Sequence, residues 1–119
     1  MKKTKLKSGV RVALIQMTCV EKPAENVKKA VSQIKIAAAK GAKIVCLQEL
    51  FNTRYFCQSE NVGNFDLAEK IPGSTTEALS KAAKAHRVVI VAPLFERAAS
   101  GVYFNSAVVI DADGKIAGK

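Results

Sequence analysis

The chain has 119 residues, 49% hydrophobic and 24% charged, with three cysteines, one histidine and a formal net charge of +9. A chain this long forms one modest domain that buries roughly two thirds of its unfolded surface, and its composition excludes global disorder. It also holds no apolar stretch near the roughly 20 residues of a membrane span, no Cys-x-x-Cys pair for a disulfide framework, and too few histidines for a zinc site.

Residues 1–9 open with Met1-Lys2-Lys3-Thr4-Lys5-Leu6-Lys7 and are expected to be a basic, flexible tail. Strand-like sequence follows it, where a signal peptide would need an apolar helical segment and a small-residue cleavage site, so the expected compartment is the cytoplasm. Four of the nine net charges sit in that tail, and Lys28, Lys29, Lys35 and Lys40 fall on one face of a predicted helix. No aromatic residues interleave with these lysines, as base stacking would require. The charge therefore reads as a solvated face and tail, and neither nucleic acid nor membrane is expected as a partner.

Val10 to Met17 is apolar and β-branched, and it does not alternate, which predicts a strand covered on both faces. Pro23 suits the first turn of a helix. Val27, Ala30, Val31, Ile34 and Ala38 then recur at helical spacing, with lysines, Asn26 and Gln33 opposite them. Gly41 stands where a left-handed cap ends that helix, and Lys43 to Gln48 is the second strand. Strand, helix and strand with short links form a βαβ unit, so the two strands should be parallel.

Residues 51–73 make a long connection, which is uncommon without a function, and Phe65 to Lys70 suits a short helix. Ser74-Thr75-Thr76-Glu77 reads as a capping box ahead of an apolar stripe of Ala78, Leu79, Ala82 and Ala83. His86 and Arg87 end that helix, where cations are favoured. Val88 to Leu94 is a third buried strand. The turns at Ala98–Gly101 and Asp113-Gly114 then fold Val102 to Asp111 and Lys115 to Ala117 into antiparallel hairpins. The predicted order is β-α-β-loop-α-β-β-β.

One acid stands out. Glu49 closes the apolar run Ile44-Val45-Cys46-Leu47, at the carboxyl end of a parallel strand, the end that faces the ligand crevice in open α/β sheets. Phe51, Tyr55 and Phe56 follow, and rings around a carboxylate would desolvate it and suit it to acid–base work. The plain alternative is a loop glutamate, solvated or paired with Arg54. Cys19 and Cys46 read as small buried hydrophobes, and Cys57 as a loop thiol without a neighbouring base. Asn105, at the centre of a strand, either orients a neighbouring acid or satisfies a buried backbone group.

Val10-Arg11-Val12-Ala13-Leu14-Ile15-Gln16-Met17, Asn26 at a helix start and Leu47-Gln48-Glu49-Leu50-Phe51 together resemble the opening of the nitrilase superfamily of carbon–nitrogen hydrolases. Ile71-Pro72-Gly73, Val88 to Glu96 and Tyr103-Phe104-Asn105-Ser106-Ala107-Val108-Val109-Ile110-Asp111 extend the match in order over residues 10–119. Within the family, Glu49-Leu50-Phe51 followed by Tyr55-Phe56-Cys57-Gln58 looks most like the branch that hydrolyses N-carbamoylputrescine, a reaction of polyamine biosynthesis.

The resemblance implies an α/β fold, the N-terminal portion of an α-β-β-α sandwich. It implies Glu49 as the general base of a Glu-Lys-Cys mechanism, with Tyr55 and Phe56 lining the substrate pocket. It also implies no cofactor or metal, a carbamoyl amine or amide as substrate, and a homo-oligomer at full length. The family's lysine and cysteine lie beyond the position of Lys119, so Cys19, Cys46 and Cys57 inherit neither role, and the 119 residues alone are expected to be inactive. The alternative is a truncated, non-enzymatic module that associates with a full-length homologue through an uncovered sheet face.

Overall fold

The computed structural model describes residues 9–119, so the tail expected over residues 1–9 lies, apart from Gly9, outside the described residues. Five strands and two α-helices follow: β1 (Val12–Leu14), α1 (Pro23–Ala39), β2 (Ile44–Cys46), a short 3₁₀ helix (Val62–Leu67), α2 (Ser74–His86), β3 (Val89–Ala99), β4 (Val102–Ile110) and β5 (Ile116–Gly118). They form one sheet in the order β1-β2-β3-β4-β5. The strands β1, β2 and β3 are parallel, and β3/β4 and β4/β5 are antiparallel. The element order, the parallel β1/β2 pair and the two antiparallel hairpins match the sequence expectation.

Pro23 occupies the first turn of α1, where its missing N–H costs nothing. Gly41, at φ +89°, turns the chain out of the helix in the left-handed conformation that glycine adopts without strain. Ala30 and Ile34 of α1 and Leu79, Ala82 and Ala83 of α2 pack on Val45, Ile90, Ala92, Leu94, Val108 and Ile110 of the sheet. Burying each large aliphatic side chain among these contributes roughly 1.5–3 kcal/mol.

The other sheet face is covered only in part among the described residues, where the rings of Phe56 and Phe65 pack on Phe95 and Tyr103. Val12 is 53% and Leu14 81% exposed, and Ile44, Cys46, Val91 and Val109 are half-buried along the same face. One helical layer on one sheet is the N-terminal portion of the expected sandwich. The first strand is therefore open on one side, where cover on both had been expected, and it spans three residues because β2 offers only three partners.

Two local expectations are corrected. The capping box sits one residue early: Gly73 is the N-cap, its N–H donates to Thr76 Oγ1 at 2.8 Å, and Glu77 pairs with Lys81 at 3.1 Å instead of reaching back. A Cβ at position 73 would lie 2.4 Å from the Lys70 carbonyl oxygen, so only glycine fits that approach. Asn26, expected among the lysines of the polar face, is 1% exposed. Incoming loops cover its side of the helix, and no periodicity along α1 can reveal that.

Candidate active site

Glu49 stands just past the carboxyl end of β2, in a turn whose geometry several groups over-determine. Leu50 adopts φ +52°, a left-handed conformation that costs a bulky residue about 1–2 kcal/mol. It is held there because Leu50 and Phe51 are 2% and 1% exposed, plugged into the core. Thr53 N–H donates to the Leu50 carbonyl at 3.1 Å, and Cys19 Sγ donates to the Phe51 carbonyl at 3.1 Å. Asn26 ties the turn to the preceding loop. Its amide donates to the Asn52 carbonyl at 3.0 Å and to the Val20 carbonyl at 2.8 Å, and its oxygen accepts from Val20 N–H at 2.8 Å. Strain kept in place by such surroundings concentrates at functional sites.

The same kink corrects the expectation of a ring-shielded acid. Phe51 turns into the core, Tyr55 is 51% exposed, and Glu49 itself is exposed. Arg54, the alternative partner, pairs instead with Glu21 at 3.5 Å. What grips Glu49 is Asn105, whose Nδ2 donates to Oε1 at 2.8 Å from the centre of β4. Of the two readings of Asn105, the orienting one holds. Tyr55 stands close enough for the Glu49 carboxylate, and then Cys57, to push its phenol upward from its ordinary value.

Phe56 lies on the other side of the site, in an aromatic cluster on the sheet face away from the helices. Its ring is 5.1 Å from Phe95, Phe65 is 4.6 Å from Tyr103, and Phe95 is 5.7 Å from Tyr103. Each tilted pair adds about 0.5–1.5 kcal/mol beyond burial. The cluster forms one wall of a cavity of about 450 Å³ that Cys57, Glu60 and Asn61 also line. Phe95 lies directly opposite Asn105 in the β3/β4 register, so one wall of the cavity neighbours the residue that holds Glu49, although neither Glu49 nor Asn105 lines it. Of the two pocket residues expected from sequence, Phe56 lines the cavity, and Tyr55 stands beside the acid instead.

Two further acids matter that sequence reasoning left unassigned. Glu96 is 2% exposed and accepts from Ser106 Oγ at 2.5 Å and from Lys119 Nζ. The Lys119 bond, then the Ser106 bond, holds its carboxyl below the usual range. Glu69 pairs in parallel with Glu96 through the backbone and accepts from Thr75 Oγ1 at 2.8 Å. Burial pushes the Glu69 carboxyl upward, partly offset by Thr75. The Glu69 backbone ties the long loop to β3: its N–H donates to the Phe95 carbonyl at 3.0 Å and its carbonyl accepts from Arg97 N–H at 2.9 Å. The signal for Glu96 was a charged residue continuing the inward alternation of Ile90, Ala92 and Leu94. All three cysteines are free, with Cys57 exposed.

A family model described as carbon–nitrogen hydrolase matches residues 11–119. An N-carbamoylputrescine amidase from Oryza sativa subsp. japonica is 42% identical over 90% of this chain and 36% of its own length. A citrullinase from Francisella tularensis is 40% identical over 93% of this chain and 39% of its own. A carbon–nitrogen hydrolase from Helicobacter pylori G27 shares the fold with a TM-score of 0.82 at 38% identity, covering 89% of this chain and 37% of that one. The chain thus spans less than two fifths of the length of these relatives. No helix among the described residues is long and apolar enough to cross a membrane.

Proposed function

The chain belongs to the carbon–nitrogen hydrolase family, and from that premise we propose that it supplies the general base of an enzyme cleaving a carbamoyl amine, with N-carbamoylputrescine as the substrate. The observation that carries this reading is Glu49, fixed at the end of a parallel strand by a strained turn and gripped by Asn105 at 2.8 Å. In this role Glu49 takes the proton of a cysteine thiol as the sulfur attacks the carbamoyl carbon. The tetrahedral intermediate, its oxyanion stabilised by a lysine, collapses and expels ammonia, which leaves with the proton held by Glu49. The base then activates water to cleave the thiocarbamate. The carbamic acid released loses carbon dioxide to give the amine, here putrescine, in keeping with a place in polyamine biosynthesis and the cytoplasm.

By this reading the thiol and the lysine come from outside the 119 residues, on a homo-oligomeric enzyme whose second sheet covers Val12, Leu14 and Val91. The open part of this face also favours a second reading, a non-enzymatic module docked on a full-length homologue. Ammonia release from N-carbamoylputrescine separates the two. A complete hydrolase carrying this segment should turn over, the 119 residues alone should not, and Glu49→Gln should lower kcat at least about a hundredfold. Turnover that survives Glu49→Gln refutes the assignment. A stable, inactive assembly of the chain with a full-length homologue supports the module.

A further inference from the structure

The cavity beside Glu49 has a charge pattern that the general-base role leaves unused. We propose that Glu60 selects substrates with a cationic terminus, binding an ammonium group at the far end of the molecule from the scissile bond; this rests on the hydrolase reading above. The cavity of about 450 Å³ is walled by Phe56, Phe65 and Phe95, and among the described residues no lysine or arginine lines it, although the chain carries a net charge of +9. Its volume is that of a small-molecule site. Among the described residues Glu60 makes no ion pair, while five other acids do.

Ring faces attract a cation, and a carboxylate adds a charge-assisted hydrogen bond. The same surroundings repel a carboxylate-bearing substrate. The register supplies the direction: Phe95 is the cross-strand neighbour of Asn105, which holds Glu49. An aliphatic chain lying along Phe95 would therefore have its carbamoyl end at Glu49 and its charged end among the rings and Glu60. Such an arrangement requires one cation per substrate, and the free amine of N-carbamoylputrescine provides it.

The test compares kcat/KM for N-carbamoyl-1,4-diaminobutane with that for N-butylurea, its neutral counterpart, in a complete hydrolase carrying this segment. The wild-type enzyme should favour the charged urea, and Glu60→Gln should cut that preference about tenfold, the effect of losing one hydrogen bond to a charged group. Inhibition by 1,4-diaminobutane should weaken in parallel. Glu60 is exposed, so the substitution leaves the core intact. Ammonia release from both ureas with an unchanged preference in Glu60→Gln overturns the assignment and leaves the hydrolase reading standing. Release from neither urea by the wild-type enzyme overturns both.

Discussion

Replacing Asn26 by alanine tests whether buried cross-bracing, rather than the strand itself, holds the Glu49 turn. The side chain is 1% exposed and makes three hydrogen bonds of 2.8, 2.8 and 3.0 Å to two loops. At about 1 kcal/mol each, their loss costs about 3 kcal/mol. Val20 is 42% exposed, so water can replace part of what its two groups lose, whereas the partner at Asn52 belongs to a residue only 3% exposed. Alanine also returns a few tenths of a kcal/mol of helix propensity. The net expectation is a destabilisation of about 2–3 kcal/mol, a large part of the 5–15 kcal/mol that typically separates folded from unfolded chains. Urea unfolding of a complete hydrolase carrying Asn26→Ala should show it, with Lys28→Ala on the exposed face of the same helix as the control. A fall in kcat should accompany it, because Asn52 lies three residues from Glu49 and small misplacements are costly in catalysis. If the two variants unfold within about 0.5 kcal/mol of one another, the typical scatter of surface substitutions, the bracing argument is wrong.

Asn105→Ala removes the donor to Glu49 and should lower kcat about tenfold. Because the two residues act as one unit, the Glu49→Gln/Asn105→Ala enzyme should be no slower than Glu49→Gln alone, and additive losses would show that Asn105 acts elsewhere. Glu96→Gln tests the buried carboxylate that Lys119 and Ser106 hold below its ordinary value. Its stabilising contribution is fully present above the unfolded carboxyl value of about 4.3, and it disappears as pH falls through the lowered folded value. The difference in urea midpoint between wild type and Glu96→Gln should accordingly be larger at pH 7 than at pH 3. A difference that grows in acid contradicts the sign.

The fold was legible because its elements announce themselves locally. Pro23 and Gly41 bracket α1, and the Gly101 and Asp113-Gly114 turns set both hairpins. What stayed hidden depends on contacts distant in sequence. The third strand was expected to stop at Leu94, yet it continues to Ala99 since Phe95, Glu96 and Arg97 find partners in Asn105, Phe104 and Tyr103. Asn26 looked solvent-facing because helical periodicity reports the helix and not the loops laid over it.

The misjudged surroundings of Glu49 have a related origin, and they bear on how the site works. Four residues of similar apolar character follow the acid, Leu50, Phe51, Tyr55 and Phe56, and composition cannot say which of them turn away. The left-handed Leu50 sends Phe51 into the core and leaves Glu49 exposed beside Asn105 and Tyr55. An exposed carboxylate on a partly covered sheet face is oriented without being dried. On the proposed reading, the 119 residues fix where Glu49 points, and the thiol and lysine come from the layer that covers this face. Orientation variants such as Asn105→Ala therefore test this chain's own share of the proposed site, the grip on the Glu49 carboxylate.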